Sequence, residues 1–233
     1  MDKSSSFSPG ADELKDIYAR RFDAQSDRRR EVWDVLSQHY FNRWVKSTDA
    51  VLDLGAGYCE FINSVHAKER FALDLNPDTA RMAAPGVTVI AQNVSETWNV
   101  PAASLDVIFT SNFLEHLDSK ATLLHCFREA VRVLRPGGIF LALGPNIRFA
   151  YREYWDYFDH ILPLSEQSLV EAMETNGLVP ELVIPRFLPF TMSRGGPSHP
   201  LLVHLYLMLR PVWRIFGRQF FVVSRKKPAP WPA

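Results

Sequence analysis

Two stretches of this sequence hold residue types that can do chemistry. In the first, Asp53-Leu-Gly55-Ala56-Gly57-Tyr-Cys59-Glu-Phe61 sets two glycines just behind a short apolar run. Glycines there let a ligand come close to the backbone, at the carboxyl edge where open α/β sheets bind ligands. Asp74 closes a second apolar run, where a carboxylate can accept hydrogen bonds from a ribose diol. The combination points to an adenosine-containing ligand. A dinucleotide fingerprint needs a small residue at the sixth position from Gly55, and Glu60 stands there. A Gly-x-x-x-x-Gly-Lys-Ser/Thr phosphate loop is absent. The second stretch is Tyr151 onward, through Tyr154-Trp-Asp-Tyr157-Phe-Asp-His160. Histidine titrates near neutral pH, and Asp159 or Asp156 could orient the His160 ring, so His160 is the candidate general base. The competing reading is a histidine that caps or packs. Tyr151, Tyr154 and Tyr157 could wall a planar or sugar-like substrate, or could be core. Neither His-Glu-x-x-His nor Cys-x-x-Cys occurs, so no motif argues for a metal.

These residues need a frame to hold them. Ala50-Val-Leu-Asp-Leu54, Phe71-Ala-Leu-Asp-Leu75, Val87-Thr-Val-Ile-Ala91, Asp106-Val-Ile-Phe-Thr110 and Ile139-Phe-Leu-Ala-Leu143 are short apolar runs, suited to strands buried on both faces. They alternate with helical patterns. The plainest helix carries Leu123, Leu124, Phe127, Val131 and Leu134 on one face, is capped by Asp118 or Ser119, and is stopped by Pro136-Gly137-Gly138. Strand alternating with helix means a doubly wound α/β sheet with helices on both faces. Amphipathic patterns at 11–22 and 28–45 precede it. A helix at 165–176, strands at 178–184 and 219–224, and an apolar helical segment at 201–216, bent or broken at Pro211, follow.

Four segments, in order and register, resemble the class I S-adenosylmethionine-dependent methyltransferases: Val51-Leu-Asp-Leu-Gly-Ala-Gly57, Ala72-Leu-Asp-Leu75, Leu105-Asp-Val-Ile-Phe-Thr-Ser-Asn-Phe-Leu-Glu-His116 and Leu134-Arg-Pro-Gly-Gly-Ile-Phe140. The resemblance implies a seven-stranded, mostly parallel sheet with an antiparallel last strand, here 219–224. It implies S-adenosylmethionine as cofactor. By the same resemblance Asp53 and Gly55 belong to the cofactor site, Ala56 and Gly57 line the methionine moiety, Asp74 holds the ribose, Leu75, Asn93 and Val94 meet the adenine, and Asn112 and Phe113 lie near the sulfonium. Cys59 stands where the family commonly has a third glycine, and Asn93 where an acid is frequent. Phe113, Glu115 and His116 begin a helix, where packing or capping is the default role. Tyr18 and Arg21 could close over the cofactor, although an arginine on an amphipathic helix is ordinarily solvated. The implied organisation is a helical cap at 1–45 and a Rossmann-like domain at 46–233, with 145–165 and 186–218 as substrate-side insertions.

Composition bounds the function. The 233 residues are 47% hydrophobic and 22% charged, with 26 basic and 26 acidic side chains and zero net charge. That excludes a disordered chain and gives no global field for nucleic acid. Two cysteines make no disulfide framework. A polar, Ser-rich start without an apolar leader and the lack of a transmembrane run suggest a cytoplasmic protein. After Glu181 come eight basic residues and no acid. Beside the apolar 201–216 segment, they suggest an anionic or lipid-linked small-molecule acceptor, a homodimer contact, or a core helix. The expected function is methyl transfer to an oxygen nucleophile of glycan or natural-product type. The alternative is an S-adenosylmethionine-binding sensor or assembly partner that does not methylate; a nicotinamide-dependent oxidoreductase is disfavoured by Glu60.

Overall fold

The computed structural model describes residues 26–190 and 199–227. The 11–22 pattern, with Tyr18 and Arg21, lies outside them. Helix α1 (Ser26–His39) precedes strand β1 (Ala50–Leu54), and α2 (Glu60–Ser64), β2 (Glu69–Asp74), α3 (Asp78–Met82), β3 (Val87–Ala91) and β4 (Leu105–Ser111) follow in turn. Then come α4 (Lys120–Val133), β5 (Leu134–Pro145), α5 (Ile147–Tyr154), α6 (Glu166–Thr175), β6 (Leu178–Ile184), α7 (Pro200–Met208), α8 (Arg210–Phe216) and β7 (Gln219–Lys226).

The seven strands form one sheet in the order β3-β2-β1-β4-β5-β7-β6. The first five are mutually parallel, and β7 runs antiparallel to both β5 and β6. All five β1 residues are buried, which is why that run is apolar without alternation. Successive residues of each strand point alternately into two cores. One face packs Leu52, Ile108 and Phe140 against Phe127 of α4 and Leu169 and Met173 of α6. The other packs Val51, Val107 and Leu141 against Trp33 and Leu36 of α1 and Phe61 of α2. Between β1 and β4 the strand order reverses direction, so their carboxyl ends open a crevice for a ligand.

The apolar 201–216 segment breaks near Pro211, where the sequence suggested a bend or break. It is two helices, broken at Leu209, because Pro211 fits only the first turn of a new helix. Leu207 and Trp213 are buried, whereas Leu201, Met208, Ile215 and Phe216 stand exposed. The basic carboxyl region is also less bare than its sequence implies. Arg218 pairs with Glu153 and Arg225 with Glu181, while Arg186 donates to the carbonyls of Gly217 and Ile215. Acids distant in sequence supply the counter-charge. No helix among the described residues is long and apolar enough to cross a membrane.

Both cysteines are buried, and burial pushes the Cys126 thiol up to about 12 and the Cys59 thiol in the same direction. The thiolate is the reactive form. Neither should react with a disulfide reagent such as dithionitrobenzoate at pH 8 in the native protein, and both should react once guanidinium unfolds it. A fast-reacting native thiol at either position would contradict this packing.

Candidate functional site

The loop after β1 is shaped by three left-handed residues: Gly55 at φ 72°, Gly57 at φ 51° and Cys59 at φ 62°. The resemblance placed a third glycine at Cys59, and the backbone there has the conformation glycine favours. Gly55 N–H donates to Leu73 O at 2.9 Å, carrying the β1–β2 ladder into the turn. Asp74, at the end of β2, holds the loop. Its Oδ2 accepts from Gly57 N–H and its Oδ1 from Asn76 N–H, both at 2.7 Å. Burial raises the Asp74 pKa, opposed by those amides. Burial, with Glu60 and Asp74 nearby, drives Asp53 well above the usual carboxylate range.

A cavity runs from this loop to the far end of β4. Asp53, Gly55, Ala56 and Gly57 line it from the turn, Ser111 and Asn112 from the end of β4, and Glu115, His116, Tyr157 and His160 from the segments beyond. Asn112 is itself left-handed at φ 48°, with its N–H donating to Leu143 O at 2.9 Å. Its Oδ1 is buried and has no hydrogen-bond partner among the described residues. An orphan acceptor here, with the buried Asp53 carboxylate, fits the ammonium of an amino-acid ligand such as the methionine end of S-adenosylmethionine.

At the far end, two distant segments are pinned together. The Glu115 carbonyl accepts from both Ile161 N–H and Leu162 N–H at 2.9 Å. His116 Nδ1 lies 3.0 Å from the Asp159 carbonyl and 3.2 Å from its carboxylate. A proton on Nδ1 satisfies both, which leaves Nε2 as the acceptor. Burial opposes the His116 cation, but the Asp159 hydrogen bond and the nearby Glu115 charge outweigh it and raise the pKa. Glu115 is buried and is pushed up to about 7 by desolvation. The His160 ring stacks on Tyr157 at 4.7 Å and meets His116 edge-on at 4.8 Å.

The aromatic wall differs from the one the sequence suggested. Tyr157 lines the cavity, but Tyr151 is 53% exposed and Tyr154 is fully buried behind His160, its ring 4.6 Å away. The wall is completed by Trp33 of α1, Phe61, Phe109 and Phe190, with Phe61 and Phe109 stacked at 3.8 Å. Arg29 of α1 pairs with Glu60 at 2.7 Å beside it. Asp74, Leu75, Asn93 and Val94, expected at the ribose and adenine, lie at or just beyond the ends of β2 and β3 and do not line this cavity. The Asn93 amide oxygen accepts from Ser95 N–H and Oγ–H. Val94 is buried beneath Trp98, whose Nε1–H donates to the Val94 carbonyl. Phe113 lies over Gly55, where an added methyl would meet its ring at 2.2 Å.

Comparison with known proteins agrees with this geometry. Residues 52–142 match the family described as methyltransferase domain. A Mycolicibacterium smegmatis protein named a probable S-adenosylmethionine-dependent methyltransferase is 33% identical over 130 residues, covering 53% of this chain and 48% of that protein. The matched region thus spans about half the length of that curated relative. Among solved structures, the methyltransferase bound to the Trm112 activator of Haloferax volcanii superposes with a TM-score of 0.67 at 18% identity, covering 96% of this chain and all of that one. An S-adenosylmethionine-dependent methyltransferase of Archaeoglobus fulgidus gives 0.64 at 15% identity, over 90% of this chain and 98% of its own.

Proposed function

We propose that this chain is a class I S-adenosylmethionine-dependent methyltransferase that transfers a methyl group to an oxygen nucleophile on a small acceptor with a planar or apolar body, a reading supported by the methyltransferase-domain match over residues 52–142. The observation that carries the reading is the cavity joining the glycine turn to the imidazoles at the end of β4. S-Adenosylmethionine supplies a methyl group already activated by its sulfonium. The protein's part is to align the acceptor, exclude water and deal with its proton. Asp53 and Asn112 would hold the methionine ammonium. The Asp74 carboxylate takes the Gly57, Asn76 and Leu75 amides and has lone-pair capacity left for a ribose hydroxyl. Trp33, Phe61, Phe109, Tyr157 and Phe190 favour an aromatic or otherwise apolar acceptor body. A hydroxyl must lose its proton as the new bond forms, and that step falls where Glu115, His116 and His160 converge.

Calorimetry with S-adenosylmethionine, S-adenosylhomocysteine and NAD tests the cofactor, and a methyl-release assay over phenols, sugars, amines and carboxylic acids tests the acceptor. Asp74→Ala removes a charged acceptor worth about 1.5–3 kcal/mol. It should therefore weaken S-adenosylmethionine binding by about 10- to 150-fold, each 1.4 kcal/mol being tenfold. A folded variant with unchanged affinity would remove Asp74 from the cofactor site. Tight cofactor binding with no methyl release on any acceptor class would favour the sensor reading instead.

A further inference from the structure

We infer that Glu115, His116 and His160 form a divalent-metal site at the acceptor end of the cavity. One ligand atom from each lies within 4.8 Å of the other two. Metal–nitrogen and metal–oxygen bonds near 2.0–2.2 Å put ligand atoms about 3–4 Å apart, so small side-chain rotations close the set. His-Glu-x-x-His spacing is absent because the ligands come from two segments brought together by the fold, not from one helix.

Three features beyond proximity fit a cation. The Glu115 Oε1 atom is buried without a hydrogen-bond partner among the described residues, and Glu115 is only 3% exposed. A desolvated carboxylate oxygen needs a positive partner. His116 has its Nδ1 against Asp159, which turns Nε2 into a lone-pair donor. A carboxylate behind a histidine is the usual outer partner of a metal-ligating imidazole. The site is also held rigid before any ligand arrives: the Glu115 carbonyl takes both Ile161 N–H and Leu162 N–H, and Tyr157 stacks on His160.

Two imidazoles and one carboxylate suit zinc, iron(II), cobalt(II) or manganese(II) rather than calcium or magnesium, which prefer all-oxygen shells. Three protein ligands leave coordination positions open to the cavity. A cation there would acidify an acceptor hydroxyl. The proton leaves to solvent, the new C–O bond forms and the S–C bond breaks. This deepens the acceptor-side reading above and rests on it, but its test needs neither acceptor nor cofactor.

The chelator-treated full chain is titrated with zinc(II) by calorimetry and with cobalt(II) by visible absorption. One equivalent should bind, with cobalt d–d bands of a low-symmetry nitrogen and oxygen site. His160→Ala and Glu115→Gln should each weaken binding by more than about 100-fold, beyond the roughly 10- to 100-fold loss expected for the outer partner in Asp159→Asn. His125→Ala, on the exposed side of α4, should bind as the wild type does. A folded wild-type chain that takes up no cobalt or zinc, or variants that bind with unchanged affinity, would overturn the site. If a variant fails to fold, the wild-type titration and cobalt spectrum still decide. S-Adenosylmethionine calorimetry on the same sample separates failure of this site from failure of the methyltransferase reading.

Discussion

Replacing His160 with alanine is expected to slow methyl transfer by about 10²–10⁴-fold, the range contributed by a group that promotes loss of the acceptor proton, directly as a base or by holding a cation that acidifies the hydroxyl. S-Adenosylmethionine affinity should stay within about twofold of wild type, because His160 lines the cavity from the segments beyond β4 and not from the glycine turn. On the proposed roles the loss should fall on kcat rather than on cofactor binding. Its surroundings support that separation. Tyr157 stacks on one side, Tyr154 is buried behind it, and His116 meets its edge. Rapid-quench measurement of methyl transfer under saturating cofactor reads the step directly. Full activity in His160→Ala on the true acceptor would move the proton's path away from this residue.

Gly55→Ala should cost both stability and cofactor binding. At φ 72° an alanine is strained by about 1–2 kcal/mol. The added methyl would also lie 2.2 Å from Phe113 Cγ and 2.7 Å from its Cβ, so the stem as well as the ring must move. Overpacking of that kind typically costs about 1–3 kcal/mol. The turn cannot simply swing away, because Gly55 N–H is tied to Leu73 O at 2.9 Å. Together these should lower the melting temperature by about 2–4 °C per kcal/mol for a domain of this size. Gly137→Ala is the internal control. It shares the left-handed backbone at φ 78°, but nothing lies within 4 Å of the added methyl. It should show the strain alone and bind S-adenosylmethionine normally. A Gly55→Ala protein that melts and binds like Gly137→Ala would mean that Phe113 yields freely.

What could be read from the sequence follows from how locally each feature is encoded. Strands buried on both faces must be apolar throughout, so the run ending at Leu54 matched β1 residue for residue, and the run ending at Ala91 matched the half-buried edge strand β3 as well. The glycine turn was legible because left-handed backbone leaves a glycine signature. Cys59 hid a third such position behind a side chain. The acceptor end was harder. Tyr151 points outward because Ala150 and Tyr154 take the buried face of α5, and the next residue along a helix is turned by about 100°. Trp33 and Phe190 reach the cavity from segments far apart in sequence, and no local pattern announces such a meeting. Glu115 and His116 looked like the ordinary opening of a helix. Only their contact with Asp159 and the 161–162 backbone gives them a separate character. The local clue was the pair of acid–histidine dipeptides, Glu115-His116 and Asp159-His160.

The double hydrogen bond that Glu115 O receives from Ile161 and Leu162 has a thermodynamic consequence. Asn112 and His116 stand on the same short stretch beyond β4, and both line the cavity. Any adjustment of that stretch when one ligand enters is passed through the clamp to the segment bearing Asp159 and His160. Should binding at one end shift this stretch, whatever factor the first ligand applies to the second must be returned unchanged in the opposite direction.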